Sequence, residues 1–142
     1  METALNTPFS TPATPTKDRT RLGYAVSSLP VAFLIFDTVI KLVKIEAVTE
    51  AFDRMGYPQH LARGIGLLET ACLLLYVVPR TSVLGAVVLT GFLGGAISTH
   101  LRIGDPLFSH TVFPVYVATL LWAGLFLRDP RVRALNPFSS TH

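Results

Sequence analysis

The apolar residues of the chain are gathered into four long runs, while polar and charged residues concentrate between the runs and at the two ends. Each run has about the 17 to 25 residues that a membrane-spanning α-helix requires. We therefore expect four membrane spans, called spans 1 to 4 in chain order, at residues 22–43, 61–78, 82–101 and 109–127.

A shorter segment between spans 1 and 2 has a different pattern. Residues 45–55 place Ile45, Val48, Phe52 and Met55 at helical spacing, and acidic residues stand between them. This arrangement predicts a short amphipathic helix that lies at the membrane interface. The predicted fold class is an all-α integral membrane protein: a four-transmembrane-helix bundle with a short amphipathic interfacial helix between helices 1 and 2.

The composition of the chain is that of a membrane protein, and its two ends differ in composition from the rest. Half of the residues are hydrophobic, 15% are charged, and the mean hydropathy is +0.50, which is more apolar than an ordinary soluble domain. Residues 1–20 are rich in Thr and Pro and lack apolar periodicity, so we expect a disordered N-terminal tail. The membrane domain is expected over residues 21–133, and a short polar C-terminal tail over residues 134–142.

Basic residues outside the spans predict the orientation. Four of them belong to the side that carries the loops after spans 1 and 3, whereas seven belong to the opposite side: Lys17, Arg19, Arg21, Arg80, Arg128, Arg131 and Arg133. Cytoplasmic segments carry the excess of Lys and Arg. We therefore expect a multi-pass protein of the cell membrane with both termini in the cytoplasm. These flanks also explain the formal charge of +3, and nothing in the sequence indicates a nucleic-acid partner.

Three charged residues stand inside the spans. Asp37 and Lys41 are four residues apart in span 1 and so share a helix face, and Glu69 lies within span 2. A central Asp or Lys costs about 3 kcal/mol on the translocon scale, so we do not expect these side chains to face lipid. At about 1.5 Å of rise per residue, Asp37 and Glu69 lie roughly 9 Å and 12 Å below the same membrane boundary. Ionisable residues in such positions are usually functional, although an ion pair that only fixes helix register is the alternative.

Two histidines extend this group. His100 ends span 3 and His110 begins span 4, both towards the side of the charged residues. We predict a polar pocket on the outer side, with the two carboxylates at its floor, formed by Asp37, Lys41, Glu69, His100 and His110. The alternative for the histidines is a headgroup-level position without chemistry. Their spacing carries no specific metal signature, so no metal site is predicted.

Span 3 also contains a packing motif. Gly91 and Gly95 form a GxxxG pattern, which lets helix backbones approach closely, and we interpret it as packing within the bundle rather than between copies. Cys72 is the single cysteine, so a disulfide relay within one copy is excluded.

Four stretches carry a family resemblance: "FDTVIKL" in span 1, "MGYP" before span 2, "GIGLLE" within it, and "GGAISTHLRIGDPLFSHTVFPVY" across spans 3 and 4. Together they resemble the DoxX-like family of small four-helix bacterial membrane proteins over roughly residues 22–133. Relatives in that family include a membrane subunit of a thiosulfate and quinone oxidoreductase. The resemblance therefore implies the fold of a bacterial inner-membrane protein and a loose association with quinone-linked membrane redox systems, but no particular reaction. Quinone is the candidate cofactor that it offers, and a membrane oxidoreductase is the candidate partner.

Two further functional classes stay open. The protein could be a small proton-coupled transporter, in which Glu69 or Asp37 alternates between a protonated and an ion-paired state. It could equally be a non-catalytic membrane scaffold. The sequence does not decide whether the protein is an enzyme, and it shows neither a Gly-rich phosphate loop nor a catalytic serine arrangement.

Overall fold

The computed structural model describes residues 16–134, and every regular element in this part of the chain is helical. A π-helical turn, Leu107–Thr111, connects the fourth and fifth α-helices. The α-helices are α1 (Lys17–Val43), α2 (Glu46–Met55), α3 (Leu61–Val77), α4 (Ser82–Arg102), α5 (Phe113–Arg128) and α6 (Pro130–Ala134). The predicted tails fall largely at residues 1–15 and 135–142, which lie outside the described residues.

Helix α1 begins earlier than the apolar pattern indicates. Residues 17–20, which we expected in the N-terminal tail, form its first turn. Thr16 precedes that turn in an extended conformation, and the carboxylate of Asp18 lies at the positive end of the helix dipole, where a negative charge is favourable. Apolar periodicity marks the part of a helix that is buried or in lipid, so it misses a polar turn that extends beyond it.

Three helical segments are long and apolar enough to cross a membrane, among the residues described. They are Lys17–Val43, Ser82–Arg102 and Leu107–Arg128, the last of which joins the π-helical turn to α5. The predicted span 2 corresponds to α3, which is shorter, at 17 residues.

The four long helices pack in a cyclic order. Helix α1 packs against α3 and α5, and α4 packs against the same two helices from the other side. A buried polar contact ties three of them together: the Tyr76 hydroxyl of α3 donates to the Leu121 carbonyl of α5 at 2.8 Å and lies 2.9 Å from the Ser27 hydroxyl of α1. The core around it consists mainly of leucines, including Leu34, Leu89, Leu121 and Leu125.

Close approach of the helices depends on glycines other than the predicted pair. A Cβ atom at Gly85 would lie 2.2 Å from the backbone nitrogen of Tyr76, and one at Gly124 would lie 2.1 Å from the Ser27 hydroxyl. At Gly91 and Gly95 a Cβ would meet no atom of residues 16–134 within 4 Å. The GxxxG pattern therefore does not mark a helix contact within this part of the chain, because its two glycines face a cavity instead.

Helix α2 was predicted over residues 45–55, and the structure has a helix there. Its buried face is formed by Val48 and Phe52, which pack with Ala62 of α3. The helix begins after Lys44 (φ +58°) and ends at Gly56 (φ +72°), where the absence of a Cβ allows the left-handed conformation. The location of α2 at a membrane interface stays a prediction.

Candidate functional site

A cavity of about 640 Å³ lies between the helices at the end of the bundle that carries α2. Helices α1 to α4 and the start of α5 contribute to its walls. Small-molecule sites commonly have volumes of roughly 300 to 1,000 Å³, so the cavity has room for a ring-sized ligand. Most of its surface is apolar, and five aromatic side chains line it: Phe33, Phe52, Tyr57, Phe92 and Phe113.

A charged cluster, formed by Asp37, Lys41 and Glu69, stands at this cavity. The Lys41 ammonium of α1 donates to the Asp37 carboxylate one turn earlier and to Glu69 Oε2 of α3 at 2.9 Å. Lys41 and Asp37 line the cavity, whereas the Glu69 side chain is completely buried behind them. Gly66, one turn before Glu69, lets α3 approach, because a Cβ there would lie only 3.2 Å from the Lys41 Cβ.

The charged cluster contains one carboxylate more than it has ammonium groups. Glu69 Oε1 is buried and has no hydrogen-bond partner in the described part of the chain. An uncompensated buried charge is costly, and so is a buried polar atom without a partner. One proton held by the cluster would balance its charge and give a carboxyl group a donor. The arrangement is therefore suited to binding and releasing one proton beside the cavity.

A second polar group lies at the loop connecting α4 to α5. Asp105 Oδ2 is 2.5 Å from His100 Nδ1 and 3.8 Å from the Arg54 guanidinium of α2. The hydrogen bond with His100, assisted by the positive charge of Arg54, lowers the pKa of the Asp105 carboxyl from its ordinary value. The rings of His100 and His110 meet edge to face, with centroids 5.9 Å apart. Asp105 thus connects α2 to a pair of histidines that line the cavity.

The structure brings the five predicted site residues into two groups. Asp37, Lys41 and Glu69 form the charged cluster, and the two histidines lie together at the Asp105 loop. All except Glu69 line the cavity. No group of three or more His, Cys, Asp or Glu side chains suited to a metal ion occurs within residues 16–134.

Sequence reasoning missed three contributors to the site. Asp105 was not among the predicted site residues, although its position between two histidines in "THLRIGDPLFSH" was a signal. Tyr57 donates or accepts a 2.9 Å hydrogen bond with the Thr99 hydroxyl at the cavity wall, and the ring of Phe92 lies 5.5 Å from the Lys41 ammonium. No sequence signal distinguished these two aromatic residues from the many others in the spans.

Comparison with protein-family models shows to which family the chain is related. The model described as the DoxX-like family matches residues 25–124, which is more than half of the chain. The chain belongs to the DoxX-like family. The matched region of this DoxX-like protein includes α2, α3, α4, the charged cluster and both histidines, and it confirms the resemblance carried by the four sequence stretches. Searches of curated proteins and of solved structures each found no match.

Proposed function

We propose that this DoxX-like protein binds the head group of a quinone in its cavity and serves as an accessory subunit of a membrane redox system. The observation that carries the proposal is the cavity itself, which combines aromatic, mostly apolar walls with the Asp37–Lys41 pair. A quinone ring needs apolar surroundings, a donor for its carbonyl oxygen, and a proton when it is reduced. The cavity and the charged cluster supply all three.

The roles of the cluster follow from its charges. The Lys41 ammonium is the donor available to a quinone carbonyl, while Asp37 and Glu69 keep it in position. Reduction of a quinone to a quinol takes up two electrons and two protons. The electrons would come from a partner oxidoreductase, and the cluster would hold one proton at a time for the carbonyl oxygens, regaining each proton from water. His100 and His110 line the cavity beside the Asp105 loop, so the proposed route for protons from water passes them.

The proposal places the protein in the membrane with four spans. Helix α3 rises about 26 Å over its 17 residues, close to the roughly 30 Å of a hydrocarbon core. Its outward side chains Leu67 and Leu74 are both 62% exposed, as expected for residues that contact lipid. Helix α2 then lies at the outer interface, and the two termini lie in the cytoplasm.

A second candidate function is proton-coupled transport. It is favoured by the fully buried Glu69. Among residues 16–134, its Oε1 has no hydrogen-bond partner and Lys41 is the one cation that forms an ion pair with it. A carrier would alternate between the ion pair and a protonated Glu69 as its substrate moves. A scaffold without a ligand is the third candidate.

Quinone binding by purified protein tests the proposal. We expect wild-type protein in nanodiscs to bind a decyl-substituted benzoquinone saturably and to take up protons when the bound quinone is chemically reduced. Glu69→Gln keeps the shape of the side chain but carries no exchangeable acid proton, so it should bind quinone and take up protons more slowly on reduction, while the total stays at two protons per quinone. Glu50→Gln, at an exposed acid of α2, is the matched control and should behave as wild type.

Two outcomes would contradict the proposal in different ways. Wild-type protein that binds no quinone would overturn it. If, in addition, Glu69→Gln abolished proton flux driven by a substrate gradient in proteoliposomes, the transporter would replace it. If neither binding nor flux were observed and Glu69→Gln restored the phenotype of a deletion strain fully, the scaffold would remain.

A further inference from the structure

The two glycines of the GxxxG pattern line the cavity and do not pack against another helix of the described chain. We propose that Gly91 and Gly95 determine which ligands the cavity accepts, because their bare backbone forms a flat wall against which the ligand ring lies. This inference rests on the proposed function, since it takes the ligand to be a quinone.

Open space beside these glycines is the first observation. Both residues line the cavity and are exposed, although α4 packs between α3 and α5. No atom lies within 4 Å of the position that a Cβ would occupy at either residue. The packing glycines Gly85 and Gly124 show the opposite, with neighbouring atoms 2.2 Å and 2.1 Å from a Cβ. Gly91 and Gly95 therefore leave room that the described part of the chain does not fill.

The geometry of α4 makes these two positions one continuous surface. Residues four apart share a helix face, and Gly91 and Gly95 are separated by about 6 Å along the helix axis. The next residue on this face is Thr99, which also lines the cavity and whose hydroxyl lies 2.9 Å from that of Tyr57. Gly91 and Gly95 thus form a wall without side chains, called the glycine strip, which is about one helical turn long and ends at the polar Thr99.

Charged and aromatic groups around the strip indicate the chemistry of its occupant. Phe92, beside Gly91 in sequence, lines the cavity with its ring 5.5 Å from the Lys41 ammonium. Phe33 and Phe113 line it as well and pack edge to face with centroids 5.0 Å apart. A flat ring that carries a hydrogen-bond acceptor fits between such walls, with its face on the glycine strip and its carbonyl oxygen at Lys41.

A side chain on the strip should exclude ligands by size. Gly91→Leu or Gly95→Leu would extend directly into the cavity, and Gly91→Ala would add a single methyl group. The control is Gly94→Leu, on the same helix: a Cβ at Gly94 also meets no atom within 4 Å, but Gly94 does not line the cavity. All these changes favour helix formation, so we expect folded proteins.

The probes are a decyl-substituted benzoquinone and a larger decyl-substituted naphthoquinone, with dissociation constants measured in nanodiscs. We expect Gly91→Leu and Gly95→Leu to weaken binding of both by roughly tenfold or more, the usual effect of overfilling a packed site. Gly91→Ala should weaken the naphthoquinone more than the benzoquinone. Gly94→Leu should bind both as wild type does.

The outcomes separate this inference from the proposed function. If wild-type protein binds neither quinone, the proposed function fails and the inference fails with it. If wild type binds but Gly91→Leu and Gly95→Leu match Gly94→Leu, only the inference is overturned. If those variants bind normally and instead dissociate a dimer, the glycines pack against a second copy, which also overturns it. Should a Leu variant not fold, Gly91→Ala decides by its effect on the naphthoquinone.

Discussion

At the scale of single residues, Lys41 is the side chain on which the candidate site depends most. Its ammonium contacts both carboxylates of the charged cluster and lies 5.5 Å from the Phe92 ring centroid. Without it, Asp37 and the buried Glu69 would stand together without a positive charge. Removal of one partner of a buried ion pair is strongly destabilising, because the remaining charge is left uncompensated.

A double-mutant cycle measures this interaction. We expect Lys41→Met to lower the free energy of unfolding in detergent by about 3 kcal/mol, and Asp37→Asn to lower it by less, because Asp37 is 28% exposed and partly solvated. The double variant should lose less than the sum of the two. Arg63→Met, at an exposed residue of α3, serves as the control and should change little. Strict additivity would mean that Lys41 and Asp37 do not interact.

The sequence predicted this cluster because its geometry is largely local. Asp37 and Lys41 must share a face at a spacing of four residues, and the position of Glu69 in its span sets its depth. The unpartnered Glu69 Oε1 could not be predicted, because it depends on how closely α3 and α1 approach at Gly66. The role of Gly91 and Gly95 was misread for the same reason: spacing identifies a shared face but not what that face meets.

At the scale of secondary-structure elements, α2 covers the cavity and is attached to the rest of the bundle by its buried apolar face and by a few polar contacts. The Arg102 guanidinium donates to the Met55 carbonyl, and Arg54 lies 3.8 Å from Asp105. At both ends of α2 the backbone adopts a left-handed conformation, at Lys44 and Gly56. Loss of the contact at Asp105 should therefore loosen α2 before it disturbs the longer helices.

The attachment of α2 through Asp105 should weaken as the pH falls. The folded protein holds the Asp105 carboxylate at a lower pKa than its ordinary 3.8, mainly through the hydrogen bond with His100. A lowered pKa stabilises the fold fully above about pH 3.8, and this contribution is lost as the pH falls below that value through the folded pKa. We expect protection of α2 amides from hydrogen exchange to fall in that window, and to be lower in Asp105→Asn already at pH 5.

Two comparisons make that expectation specific to Asp105. Glu50→Gln removes an exposed acid of α2 outside these contacts, so its amide protection should follow wild type across the pH range. The amides of α1 and α5 should show no comparable change in the same window. An Asp105→Asn profile that coincides with wild type would show that Asp105 does not hold α2 in place.

The pattern of apolar residues could not predict helices that depend on contacts between residues far apart in the sequence. The alternation of apolar and acidic residues predicted α2 and its buried Val48 and Phe52, because amphipathicity is a local property. Helix α6 was not predicted, since it is held by Arg131, which bonds to the Asp129 carboxylate at 2.7 Å and to the Pro79 carbonyl at 2.8 Å. The contact between Arg131 and Pro79 joins residues 52 positions apart and leaves no periodic signal.

At the scale of the whole molecule, the two ends of the bundle differ in packing. At the end opposite α2, Gly124 lets α5 approach α1 at Gly23 and Ser27, and Gly85 lets α4 approach the backbone of Tyr76. At the α2 end, the same four helices enclose the cavity. Tight packing at one end keeps the helices in fixed positions, while the open end is available to a ligand.

The side of the membrane to which the open end belongs decides where the protons of the proposed reaction come from, and cysteine labelling in intact cells measures it. Seven basic residues flank the proposed spans at the end opposite α2, so the positive-inside rule predicts that this end faces the cytoplasm. Gln59→Cys, at an exposed position after α2, should then react with an impermeant thiol reagent, whereas Thr7→Cys and Ser140→Cys should react only after permeabilisation. Native Cys72 is buried and should contribute little background. Labelling at the termini but not at residue 59 would mean that the orientation is the reverse of the predicted one. The cavity would then exchange its protons with the cytoplasm.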